Sequence, residues 1–137
     1  MRKNIVESDF YYKGYEIICT FTGLGHRCGY VVIPKGHRLY GMDISKVNEL
    51  IQGYCGITWA DYGRPCHKND EWVIGFDCGH ICDAPDEEAF WKYYPDAEPD
   101  SLPDYRFEYA TVKSQAFVES ECRSIVNQIL ELDKNEN

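Results

Sequence analysis

The chain has 137 residues and a formal net charge of −9, with 44% hydrophobic and 15% aromatic residues. That length suffices to bury a core without metal or disulfide support, and the apolar content argues against disorder away from the ends. The negative charge opposes phosphate backbones, which sets aside direct nucleic-acid binding, and no segment approaches the roughly 20 apolar residues of a membrane span. Seven cysteines, an odd number without framework spacing, read as free thiols of a reducing cytosol. Met1-Arg2-Lys3-Asn4 leads into no apolar run of the signal-peptide kind.

Phe10-Tyr11-Tyr12 and Tyr15–Phe21, joined by Lys13-Gly14, predict a β-hairpin, because the second arm is β-branched and aromatic and Lys-Gly suits a tight turn. Thr22–Arg27 is too glycine-rich for a strand. Cys28–Ile33 resumes one and stops at Pro34-Lys35-Gly36, which completes a three-stranded meander. Asp43 is placed to cap a short helix ending at Leu50 or Ile51. Ile57–Ala60 predicts a further strand, Asp61–Asp70 a charged loop, and Trp72–Phe76 a central strand. From Ala84 to Asp104 the chain is a long excursion with one helical turn near Glu87–Trp91. A C-terminal helix capped by Thr111 follows, with Val118, Cys122, Ile125, Val126, Ile129 and Leu130 in one stripe and a frayed tail over 132–137. The expectation is a single α+β domain over 1–137: a mainly antiparallel sheet of about five strands, with a short helix and a long C-terminal helix packed on one face.

Three segments carry the chemistry. Gly23–Tyr30 combines glycines, whose backbone N–H groups can converge, with His26 and Arg27; it suits a phosphate or carboxylate, or else is a solvated turn. It lacks both the Walker and the dinucleotide-binding spacings. Gly75–Asp83 follows the central strand, and there Asp77 and His80 can act as an acid–base group and its orienter. The same stretch, with Cys66, His67, Cys78, His80 and Cys82, is a weak zinc pattern, and free core cysteines are the competing account. Gly36–Gly41 presents a second pair, His37 and Arg38. Two His-Arg loops, with Trp59 and Trp72 as flat apolar surfaces, describe a nucleotide pocket. If the tryptophans instead lie in the core and the arginines pair with acids, that pocket does not exist.

Gly25-His26-x-Cys28-Gly29-Tyr30-Val31, His37-x-Leu39-Tyr40-Gly41, Gly56-Ile57-Thr58 and Trp72-x-x-Gly75-Phe76-Asp77-Cys78-x-His80-x-x-Asp83 together resemble a set of small proteins encoded by tailed phages and prophages. The similarity covers roughly residues 10–83 and the closing helix. The chain departs from the pattern at Tyr54-Cys55-Gly56, where those proteins usually read His-Gly-Gly, and at Trp72-Val73, where they often pair two tryptophans. The resemblance implies a viral accessory protein in the bacterial host cytoplasm that antagonises host defence.

The leading expectation is a non-enzymatic, homo-oligomeric binder of a small phosphate-bearing nucleotide signal, without a cofactor. Its site would comprise His26, Arg27, His37, Arg38, Trp59, Trp72, Asp77 and His80. Two alternatives stand beside it. One is an acidic protein that blocks a host defence effector or nuclease; the other is a metal-dependent hydrolase using Asp77, His80 and Asp83.

Overall fold

Tyr15, Ile17, Cys19 and Phe21 are buried and alternate with Glu16, Ile18 and Thr20, so one strand faces two different layers. The computed structural model describes residues 2–65, 67–102 and 108–135, with the backbone alone at 67 and 68. Its main sheet is antiparallel and five-stranded, in the order β1 (Ile5–Tyr12), β2 (Tyr15–Phe21), β3 (Arg27–Ile33), β5 (His67–Asp77), β4 (Trp59–Arg64). The predicted hairpin turn is present: Lys13 and Gly14 both take positive φ, 50° and 87°, as a two-residue hairpin turn demands.

The long helix α3 (Gln115–Lys134) lies on one face of this sheet. Its buried Val118, Cys122, Ile125, Val126 and Ile129 meet Ile17, Cys19, Val31, Ile33, Ile74 and Phe76. Gly29 permits the close approach, because a Cβ there would sit 2.6 Å from the Cys122 sulfur and 2.7 Å from the Phe76 ring. The short helix α1 (Ile44–Leu50), capped by Asp43 as expected, adds Val47 to the same core. On the opposite face, Ile18, Tyr30 and Val73 form a second, smaller cluster with Cys28, Val32 and Trp59.

Several boundaries differ from the sequence reading. Asp61–Asp70 is not a loop: β4 and β5 extend through most of it as a hairpin, with Arg64 paired to His67 and a register shift between Tyr62 and Arg64. Backbone pairing outweighs the charged composition there, because an edge hairpin leaves hydrophilic side chains in water. The helical turn near Glu87 is a full helix, α2 (Glu87–Tyr93), capped by Asp86 and anchored by the buried Phe90. Ser114, not Thr111, caps α3, its Oγ accepting the Phe117 N–H at 3.1 Å. Thr111 belongs instead to β7 (Thr111–Val112), which pairs in parallel with β6 (Asp83–Ala84). The helix also continues through Lys134 rather than fraying from 132, while positions 136 and 137 lie outside the described residues. No helix among the described residues is long and apolar enough to cross a membrane.

Candidate functional site

Antiparallel pairing brings the start of β3 beside the end of β5, with Cys28 opposite Asp77. The chain beyond β5 then turns tightly: the Asp83 N–H donates to the His80 carbonyl at 2.8 Å, and the His80 N–H donates to Asp83 Oδ2 at 2.9 Å. Asn48 on α1 locks the loop before β4 by bonding both the N–H and the carbonyl of Ile57. Tyr54 and Thr58 are thereby carried to the same end of the sheet.

Asp83 is the hub of what gathers there. Its side chain is 1% exposed. It accepts from the Tyr54 hydroxyl at 2.5 Å, from Lys113 Nζ at 3.0 Å, and at 3.1 Å from Nδ1 of His80. Burial alone would raise the Asp83 carboxyl, yet the Tyr54, His80 and Lys113 donors hold it below the ordinary carboxylate range. Burial and the Asp83 charge push the Tyr54 phenol upward. His80 Nε2 points toward Asp77 Oδ1, 3.8 Å away, and the Thr58 hydroxyl donates to Asp77 Oδ2 at 3.1 Å. The His26 ring lies beside Gly79; its Nδ1 is buried without a hydrogen-bond partner, and burial lowers its pKa.

Three of the eight predicted residues therefore meet: His26, Asp77 and His80. Arg27 reaches the cluster only through its partners. Its buried guanidinium bonds Glu7 at 2.6 and 3.2 Å, Asp86 at 2.8 Å and the Lys113 carbonyl at 3.1 Å, and it covers the Phe21 ring. A guanidinium so engaged, with four of its five N–H groups bonded, joins the sheet to the β6–β7 segment and is held away from the role of a phosphate grip.

The other four lie elsewhere. His37 Nε2 pairs with Asp133 at 2.9 Å, at the far end of α3 from Lys113, and a helix of 20 residues spans roughly 30 Å. Arg38 follows His37 in the same exposed turn. Trp72 belongs to the core under α3, in contact with Tyr40 and Tyr62, and its Nε1 is buried without a partner. Trp59 packs on the opposite face, its Nε1 donating to the Gly63 carbonyl at 2.6 Å. The two indoles are separated by the sheet and cannot wall one pocket. Tyr54, Thr58 and Lys113 were missed because nothing local in the sequence marks them; their roles arise from chain segments far apart.

A cationic hollow lies elsewhere on the surface. It measures about 620 Å³ and is lined by Arg2 and Lys3 ahead of β1, by Thr20, Thr22 and Leu24, by Tyr30, and by Arg64 and Pro65 of the β4–β5 turn. No carboxylate lines it among the described residues. Arg64 Nη1 is buried without a hydrogen-bond partner, and Thr20 Oγ1 has none beyond the neighbouring Cys28 thiol. Arg2 is steered by its bond to the Gly23 carbonyl at 3.3 Å and by the Phe90 ring of α2, while Tyr94 holds the Lys3 carbonyl at 2.7 Å. Local sequence hid this site, since its cations come from the two ends of the sheet's strand order.

Among the described residues no group of three or more His, Cys, Asp or Glu side chains has the geometry to hold a metal ion. Of the zinc pattern, Cys66 and the His67 side chain lie outside the described residues, Cys78 is buried in the core, and Cys82 is exposed beside Tyr54. Comparison with protein-family models, with curated proteins and with solved structures found no match.

Proposed function

We propose that this protein binds a small phosphate-bearing ligand of nucleotide size in the hollow between Arg2, Lys3 and Arg64. The observation that carries the reading is a concentration of charge: in a chain of net charge −9, three cations and no described carboxylate line one cavity. Ligand cavities typically measure about 300–1,000 Å³, and this one falls within that range. Arg64 and Thr20 both line the wall, and the Arg64 guanidinium offers charge-assisted hydrogen bonds to an anion with several acceptor oxygens. Val6, Leu24 and Pro65 supply apolar contact for the rest of the molecule.

This moves the phosphate grip from Arg27 and Arg38 to Arg2 and Arg64 but keeps the class of ligand. The biological setting, capture of a nucleotide signal by a phage accessory protein that antagonises host defence, rests on the motif resemblance. Isothermal titration of the protein with cyclic mononucleotides, cyclic dinucleotides and cyclic ADP-ribose isomers tests it. A charge-assisted hydrogen bond contributes about 1.5–3 kcal/mol, so Arg64→Gln weakens the bound nucleotide by roughly 10- to 100-fold. Absence of heat with every member of the panel contradicts the proposal.

A further inference from the structure

We propose that the sheet end bearing His80 is a second, independent site: a metal-free acid–base centre that hydrolyses uncharged acyl esters, with His80 Nε2 as the proton-transferring atom. Asp83 is bonded to both the backbone N–H and Nδ1 of His80, at 2.9 and 3.1 Å. A carboxylate on Nδ1 places the ring proton there and leaves the lone pair on Nε2. Asp83 is fixed in turn by Tyr54 and Lys113, so the imidazole is oriented by a carboxylate that cannot swing away. This is the arrangement of a general base and its positioning residue, with Asp83 rather than Asp77 as the orienter.

The rest of the cluster gives that base somewhere to act. The His80 side chain is 31% exposed, whereas Asp83 behind it is 1% exposed, so the ring edge facing away from Asp83 is the accessible one. The exposed Gly79 lies beside this edge, where a Cβ would stand 3.3 Å from Asp77 Oδ1 and 3.6 Å from the His26 ring. The charges facing His80 are Asp83, Asp77 and, through Asp83, Lys113; Tyr54 and His26 are its titratable neighbours. Asp77 at the mouth repels anions, and the ammonium of Lys113 is spent on Asp83 and the Cys82 carbonyl. Phosphate esters are therefore disfavoured and neutral esters fit.

In the step, a water oxygen bonds to the ester carbonyl carbon as its proton passes to Nε2. The bond from that carbon to the alkoxy oxygen then breaks, with the electron pair going to the oxygen. The imidazolium returns the proton to that oxygen, and acid and alcohol leave with the base restored.

p-Nitrophenyl acetate is a probe small enough to reach Nε2. General-base catalysis is worth about 100- to 10,000-fold, so the native protein is expected to exceed the His80→Gln variant by ~100-fold or more and to be faster than equimolar free imidazole. His80→Gln, with folding verified by circular dichroism, is expected to fall to background, while His37→Gln at the other end of the molecule keeps the rate. Asp83→Asn, as a positioning change, is expected to move the acid limb of the pH–rate profile as well as lower its plateau. Should His80→Gln fail to fold, carbethoxylation of native protein by diethyl pyrocarbonate reads the same atom; modification of His80 and loss of turnover are expected in parallel. A native protein no faster than imidazole, a folded His80→Gln variant that retains the rate, or turnover surviving His80 modification overturns the proposal.

Discussion

Arg27 clasps Glu7 with two parallel bonds, Nε to Oε1 at 2.6 Å and Nη2 to Oε2 at 3.2 Å, and both side chains are almost wholly buried. The pair sits where β1 and β3 flank β2, and a third bond from Arg27 to Asp86 reaches across to the cap of α2. The sheet, α2 and the start of α3 are thus tied through one guanidinium.

Removing that guanidinium strands the Glu7 carboxylate in a buried setting. Breaking one partner out of a buried ion pair typically costs about 3–5 kcal/mol, so Arg27→Met is expected to lose that much in urea unfolding. The double variant Arg27→Met, Glu7→Gln is expected to recover part of the loss, because the buried Glu7 charge is gone and only the more exposed Asp86 is left without its cation. Equal stability of the single variant and the native chain contradicts this role.

Gly75 is required by the Tyr30 ring that lies across it. A Cβ there would stand 2.5 Å from Tyr30 Cδ1 and 2.5 Å from the Gly29 carbonyl oxygen, and a backbone atom cannot step aside. Gly75→Ala is expected to destabilise by about 3 kcal/mol or to prevent folding, within the range seen for overpacked cores. Gly36, with φ of +88° and open space around it, supplies the contrast. Gly36→Ala is expected to cost only the left-handed backbone penalty of roughly 1–2 kcal/mol. Thermal unfolding of the two variants side by side checks the ordering.

Two carboxyls set opposite limbs of the pH–stability curve. Asp83 is held below its unfolded value, so its contribution is complete above pH ~4 and is lost as pH falls through the depressed folded value. Burial and a hydrogen bond with Asp9 push Glu16 up to about 7. The folded state therefore keeps a proton that the unfolded state has released between pH ~4.3 and 7, and stability falls as pH rises through that window. Urea midpoints measured across pH 3–8 are expected to be highest in mildly acidic solution. Asp83→Asn is expected to flatten the acid limb and Glu16→Gln to remove the decline toward neutrality; unchanged slopes contradict the assignments.

The fold was largely legible because its cues are local. Alternation in Tyr15–Phe21, the Lys13-Gly14 turn, the Asp43 cap and the apolar stripe from Val118 to Ile129 each act within a few residues. The β4–β5 hairpin was misread because its charged residues satisfy a loop pattern as well as an exposed edge. The site was legible only in half. His26 lies at one strand end and Asp77 and His80 at its neighbour, so these three meet, while the Arg27 guanidinium turns to Glu7 and Asp86. His37 and Arg38 follow the opposite end of β3, and a strand of seven residues rising about 3.3 Å each carries them beyond reach. Trp59 and Trp72 differ in the parity of their strand positions relative to the sheet, which puts one on each face. Arg64 could not be read as a site residue, because only tertiary folding brings it to the same hollow as Arg2.

The claim that the Arg2–Lys3–Arg64 hollow takes a phosphate-bearing ligand is tested most directly by following ¹H–¹⁵N signals, arginine Nε–H groups included, during titration with pyrophosphate and with a cyclic dinucleotide. The account predicts saturable shifts at Arg2, Arg64 and the Thr20 and Thr22 amides, with Arg27 and His80 unmoved. Shifts centred on His26, Asp77 and His80, or no saturable shift with either compound, contradict it.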